Sequence, residues 1–553
     1  MIFRVFYTVV FLFFLFPKIG EGQNLFPRRA SDAIVLSGSQ LSQFVGKEIN
    51  HIVAYQYNDE QGWKIIPFQI DEKDSVSANK IYGKINPREC INDEWCSSLD
   101  NLKLLTYTDE NTFTGTDSDP SFDQNDELVF MVQDAAYPEP ENSSPEGVIK
   151  ESGMEISIVD PIDDSQAFVY LFLKRKEQKP PAKPTQSYVN YEFILKSGGY
   201  KNTYANERGP NPEQSTVSTP FYKMGFSERW IKDEIRILAG LSSGVNILDR
   251  HKVLFAPDVC ERHEGTFSIG EGAFIVNKSG PIRAIRSYMG ANSGPLTQRE
   301  HIFYQQKEVI NTWLRVHPIQ SIMDFYDYST LAEGMEYTNS NNPSAVIIDG
   351  TPDNLKEGKI DWELVSGEQG TMYIEHQFNT SATSLLESNY YLDDRFPEDP
   401  QCTGDDFAIG ASGIWIKTPI PNTDIRLDGR PAEFKLTRTN YFSAPDPNIN
   451  IPELHAMNQE NPLKVRIHTL DQERELFKIY PNPFSGELNI ETENKSGIAS
   501  VFMWSLLGKL VYNGSFSDTD TIKIVTHGLP AGFYIIMVET DSGIRKNIKL
   551  LKN

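Results

Sequence analysis

Charged and aromatic side chains gather most densely between residues 229 and 317. Arg229, Trp230, Asp233, Glu234 and Arg236 come first, followed by Asp249, Arg250, His251 and Lys252. Further along, Arg283 and Arg286 punctuate an apolar run, and Arg299, Glu300, His301, Tyr304 and His317 follow. A guanidinium can neutralise a carboxylate on a ligand, while an imidazole or phenol can take up a proton. Arg283 and Arg299 are therefore candidate neutralising groups, with His301 and His317 as candidate bases. Trp230, Tyr288 and Trp313 offer flat apolar faces on which a ring could stack. The plainer role for the arginines is pairing with carboxylates on neighbouring strands.

A second cluster is rich in oxygen. Between Asp117 and Glu127 stand five carboxylates and Asn125, just before the apolar run Leu128-Val129-Phe130-Met131. Calcium takes six to eight oxygen ligands, and closely spaced carboxylates in a loop can wrap it. Asp117, Asp119, Asp123, Asn125 and Glu127 are the candidate ligands of a structural calcium ion. The spacing is not that of an EF-hand, since no glycine occupies the sixth position. The same cluster also reads as a solvated acidic loop. Two weaker acidic groups are Asp71-Glu72, at a strand exit, and the stretch from Asp393 to Asp406.

The elements that must hold these groups are strands. Short apolar or alternating runs recur, among them Ile52-Val53-Ala54-Tyr55, Phe168-Val169-Tyr170-Leu171-Phe172 and Ala345-Val346-Ile347-Ile348. Asn, Asp, Gly and Pro clusters separate them, and helical periodicity is scarce. The prediction is an all-β chain with a large β-sandwich or supersandwich body in two modules, 24–175 and 186–443. A Pro-rich stretch lies between the modules, and 444–475 reads as a linker to a small C-terminal sandwich over 476–553. The formal charge is −24, carried by the body rather than the ends. Such a field opposes phosphate backbones and argues against nucleic acid as a partner. Four cysteines, Cys90, Cys96, Cys260 and Cys402, favour disulfides in an exported chain, with Cys90 to Cys96 the local pairing.

Both ends point outward. Arg4, the apolar run Val5 to Phe16, and Gly20-Glu21-Gly22 form a secretory signal peptide over 1–22, too short to span a bilayer. No other stretch has the length of a membrane-spanning helix. At the other end stand Tyr480-Pro481-Asn482-Pro483-Phe484, Leu488-Asn489-Ile490 and Leu506-Leu507-Gly508-Lys509-Leu510-Val511. Gly528-Leu529-Pro530-Ala531-Gly532-Phe533-Tyr534 and Gly543 to Leu550 complete the series. In this order the motifs resemble the type A sorting domain of the Bacteroidetes type IX secretion system. The resemblance implies passage through the periplasm to the outer surface or medium, with the secretion machinery as partner.

Within the body, Gly280-Pro281-Ile282-Arg283 followed by Arg315-Val316-His317 resembles the β-supersandwich modules of carbohydrate-active proteins. That resemblance implies polysaccharide as a ligand, and a lyase-like reaction at Arg283, Arg299, His301 and His317 is the sharper expectation. The alternative is a non-catalytic surface or adhesion protein stabilised by calcium.

Overall fold

The computed structural model describes residues 25–26, 28–85, 102–140, 143–175, 185–196, 213–228, 231–240, 243–255, 273–290 and 296–382. It also describes 385–396, 408–425, 432–446, 448–470, 477–492, 497–506, 508–516, 519–540 and 545–553. The signal peptide, the four cysteines, Arg229, Trp230 and residues 397–407 lie outside the described residues. The architecture is all-β, as the alternating runs predict.

In the N-terminal unit, Ile52–Asn58 sits between Gln166–Lys174 and Gly62–Ile65 in a five-stranded antiparallel sheet. A three-stranded sheet, with Glu127–Met131 flanked by Ala33–Ser37 and Gln69–Asp71, packs against it. Alternation explains the packing. Ile52 and Ala54 join Leu128, Phe130, Ile156 and Val169 in the core between the sheets. Val53 and Tyr55 face the other way, onto Trp63, Tyr170 and Phe172. Each large side chain so buried contributes about 1.5–3 kcal/mol.

One boundary differs from the expectation. Residues read as a linker contain the helix Ile451–Glu460 and the strand Lys464–Thr469. The strand completes the N-terminal sheet, pairing Ile467 with Ile156 and Val465 with Ile158. Its Val465-Arg466-Ile467 alternation was the signal, overshadowed by the nearby prolines. The N-terminal unit is therefore closed by chain that returns from beyond the large unit.

The large unit is built on a nine-stranded antiparallel sheet. Its consecutive strands include Ala273–Ser279, Ala284–Met289, Gln298–Phe303, Lys307–Trp313, Phe434–Ser443 and Gly370–Thr380. Two four-stranded sheets cover its inner face. One contains Tyr222–Glu228 and Ile231–Ile237; the other contains Leu248–Phe255 and Ile322–Tyr328. Met224, Ile235, Ala284, Phe303, Met372 and Phe442 share the resulting core.

The N-terminal unit docks on the outer face of the large sheet. Ala78 and Ile81 pack on Ala273, Ile275 and Met289. The side-chain Oε1 of Gln69 accepts the backbone N–H groups of Ile282 and Arg283 at 3.2 and 3.1 Å. A Cβ at Gly280 would lie 2.0 Å from that oxygen, so glycine permits the approach.

At the C-terminus, Phe477–Tyr480, Glu487–Thr492 and Thr521–Val525 form one sheet of a small sandwich. Leu510–Ser515, Ile498–Ser505, Gly532–Thr540 and Arg545–Lys552 form the other, around Phe484, Ile490, Val501 and Ile536.

Candidate functional site: a polar groove between the two units

Strand Gln298–Phe303 is buried along its whole length because both faces are covered. Arg299, His301 and Phe303 point inward, toward the second sheet. Gln298, Glu300 and Ile302 point outward, toward the hairpin Lys73–Ser77 and Lys103–Tyr107 of the N-terminal unit. This parity separates the expected residues.

Arg299 is 3 % exposed and donates to Asp324 Oδ2 at 2.9 Å. Arg438 and His251 converge on the other Asp324 oxygen at 2.8 and 2.9 Å. Burial alone would raise the Asp324 carboxyl, but Arg438, His251 and Arg299 outweigh it and hold it far below the ordinary range. His301 pairs with Glu308 at 2.8 Å, and Glu308 also receives Lys232. Burial pulls His301 down to about 4, against the attraction of Glu308, so the ring is neutral at pH 7. Arg299 and His301 thus belong to a paired network inside the sandwich and not to an open cleft.

Arg283 lies at the join of the units, 1 % exposed. It reaches Asp71 Oδ2 at 2.8 Å, Glu127 Oε2 at 2.5 Å and the Tyr304 hydroxyl at 3.1 Å. His317 stands apart, beyond the end of Lys307–Trp313, with Nδ1 2.9 Å from the Pro318 carbonyl. The four residues do not converge.

The acidic loop is organised by its own backbone. Asp117, Asp119 and Asp123 accept N–H groups two residues ahead, at 2.8, 3.0 and 2.9 Å. The buried Asp126 accepts the backbone N–H groups of Lys73 and Asp123; burial, aided by the charges on Asp123 and Asp117, outweighs those bonds and lifts it to about 7. Glu127 leaves the loop altogether, pairing with Lys73 at 3.0 Å and with Arg283. Among the described residues, no three His, Cys, Asp or Glu side chains gather as a metal site. Two loop oxygens, Asp117 Oδ2 and Asn125 Oδ1, are buried without a hydrogen-bond donor among the described residues.

Glu127 opens instead onto a groove of about 410 Å³ between the hairpin and the outer face of the nine-stranded sheet. Strand pairing sets its floor: Glu300 stands opposite Asn311, and Gln298 and Lys435 flank Trp313. Lys73, Lys103, Arg315 and Lys435 line it, with Glu127 and Glu300 as its carboxylates. Four cations against two carboxylates give it a sign opposite to the chain as a whole. The Lys435 ammonium lies 5.0 Å from the centre of the half-buried Trp313 ring. The Tyr107 hydroxyl donates to Glu127 Oε2 at 2.8 Å. Glu300 is 5 % exposed, and its one hydrogen bond among the described residues is a long one from Asn311, 3.4 Å.

The two carboxyls are set apart electrostatically. Burial raises Glu300, assisted by the charge on Glu127 and opposed by Asn311, Lys73 and Arg283. Burial also works against Glu127, yet Arg283 and Lys73 prevail and leave it lowered. Of these residues the sequence singled out Trp313 as a stacking face and Glu127 as a metal ligand. Lys435 and Asn311 went unnoticed, although the period of two placed them with Glu300.

Residues 478–553 match the family of secretion system C-terminal sorting domains. The tail is a type IX sorting domain. This sorting domain directs export to the cell surface or the medium and implies engagement of the type IX machinery. No helix among the described residues is long and apolar enough to cross a membrane.

For the chain as a whole, no curated protein matches. A solved protein described as an aldose 1-epimerase from Escherichia coli aligns at 9 % identity and TM-score 0.24, over 46 % of this chain and 99 % of that one. A heparinase III aligns at 9 % and 0.24, over 68 % of this chain and 43 % of its own. A polysaccharide lyase aligns at 9 % and 0.19, over 66 % of this chain and 46 % of its own. These scores are too low to carry an argument about the body.

Proposed function

We propose that the exported body binds an acidic carbohydrate in the groove between its two units. One observation carries this reading: a cationic groove floored by Trp313 and rimmed by amide and carboxyl groups, in a chain of charge −24. Cations attract uronate or sulfate groups, an aromatic face supports a sugar ring, and Gln298 and Asn311 supply hydroxyl partners. Export by the sorting domain supports the reading, since it carries the groove outside the cell.

Calorimetric titration of the purified full chain with alginate, polygalacturonate, hyaluronan and chondroitin sulfate tests it. Binding that weakens with salt, and at least about tenfold (about 1.4 kcal/mol) in Trp313→Ala or Lys435→Ala, supports the reading. Absence of binding to every polymer would sink it.

A second reading is favoured by the two buried, partnerless oxygens of Asp117 and Asn125. It is a calcium ion held in the acidic loop as a brace. Adding calcium then raises the melting temperature of the wild type and not of Asp117→Asn; an equal response in both removes the loop from consideration.

A further inference from the structure

We propose that a second pocket, at the join of the two units, binds an apolar carboxylate, with its chain inside and its head beside Lys174 and Lys278. The pocket has a volume of about 770 Å³ and shares no lining residue with the polar groove, so it stands apart from the carbohydrate reading. Its walls form where strands of the N-terminal unit begin and end. Ile52 opens Ile52–Asn58, Ile65 closes Gly62–Ile65, and Ile66 to Phe68 lead into Gln69–Asp71. The large unit adds Lys278 and the turn Ser279-Gly280-Pro281. That turn is pressed onto the N-terminal unit, since Gly280 lies against Gln69 and the backbone of Ile282 and Arg283 binds it. The two units thus meet closely at the edge of the pocket and leave it open beside that contact.

The lining identifies the ligand. Ile52 and Ile66 are 2 % and 1 % exposed, too deep for a folded partner to press a flat surface onto them. Ile49, Phe68 and Ile70 are half-buried around the same space and gain by being covered. A mostly apolar pocket of roughly 300–1,000 Å³ at a domain boundary, with few polar groups, is the ordinary form of a small-molecule site. Charge then selects the head group. Lys174 and Lys278 line the pocket, and neither makes an ion pair among the described residues. Of its two carboxylates, Asp71 is held by Arg283 at 2.8 Å, which leaves Glu72 alone against two ammoniums. The surplus of positive charge favours an anionic head over a neutral or cationic one.

Calorimetric titration of the purified full chain with decanoate, decanol and decyltrimethylammonium, each below its micelle concentration, tests the proposal. Decanoate is expected to bind one molecule per chain, at least about tenfold more tightly than decanol, with decyltrimethylammonium weaker still. The double variant Lys174→Gln, Lys278→Gln is expected to lose the preference for decanoate and to keep its affinity for decanol. Ile49→Trp, which puts an indole into the pocket, should weaken decanoate and decanol alike by at least about tenfold, with its folding checked by thermal unfolding. If Ile49→Trp unfolds, the double lysine variant decides alone, because it leaves the apolar lining untouched. Trp313→Ala, in the polar groove, should leave decanoate binding as it is. Absence of saturable decanoate binding overturns the proposal, and so does equal affinity for all three probes. A preference for decanoate that survives the double substitution also overturns it.

Discussion

The two faces of strand Gln298–Phe303 both bury ionisable side chains and treat them in opposite ways. On the inner face, Arg299 and His301 meet Asp324 and Glu308 in a dry interior where each charge has a counter-charge. On the outer face, Glu300 lies buried against a groove with no ion pair to it among the described residues, and the cations Lys103 and Lys435 line the same space. A paired buried charge stabilises a fold only while its partner remains, whereas an unpaired one is a standing cost. The inner face therefore reads as scaffold and the outer face as site.

The largest break in that comparison comes from the inner face. Asp324→Ala strands Arg299, Arg438 and His251 inside the sandwich, and we expect a loss of about 3–5 kcal/mol in urea unfolding. A loss below about 1 kcal/mol would mean that water already reaches the network. Next comes the join between the units. Arg283→Lys cannot reproduce the contacts to Asp71, Glu127 and Tyr304, and about 2–3 kcal/mol should be lost. If the join depends on it, limited proteolysis at the N-terminal unit accelerates in parallel.

The pH dependence sharpens the contrast. The unfolded chain protonates His301 near 6.5, whereas the folded chain resists until about 4. Between those values the unfolded state binds more protons, so stability falls as pH falls. His301→Gln should flatten that slope by about 2 kcal/mol, read as unfolding free energy at pH 7.5 against pH 4.5. An unchanged slope would show that the ring takes up its proton at the same pH in the folded and the unfolded chain.

How much of this was legible beforehand follows from period and parity. The all-β class was written in runs such as Ile52 to Tyr55, and the sorting domain in its ordered turn motifs. The strand Lys464–Thr469 was legible in its alternation but was outweighed by its proline-rich surroundings. The site was half legible. Charge density pointed to the right strand, but density carries no information about which face a residue occupies. Arg299 and His301 are conspicuous by type, and the covering sheet that turns them into scaffold comes from Ile322–Tyr328, more than twenty residues away. The groove's other wall comes from Lys73 and residues 103–107, and no local pattern links those to Glu300.

The smallest expected effect is also the most discriminating. Burial raises the Glu300 carboxyl in the folded chain, so its ionised form costs stability above the folded value and costs nothing below the unfolded one. Glu300→Gln should therefore stabilise the protein by roughly 0.5–1 kcal/mol at pH 7.5 and by nothing measurable at pH 4, where both states are protonated. Asn311 still has an oxygen to donate to, so no hydrogen bond need be lost. A residue kept at a cost to stability, on the face that lines a groove, behaves as part of a site. A destabilised Glu300→Gln, with the same loss at both pH values, would instead make Glu300 another member of the scaffold.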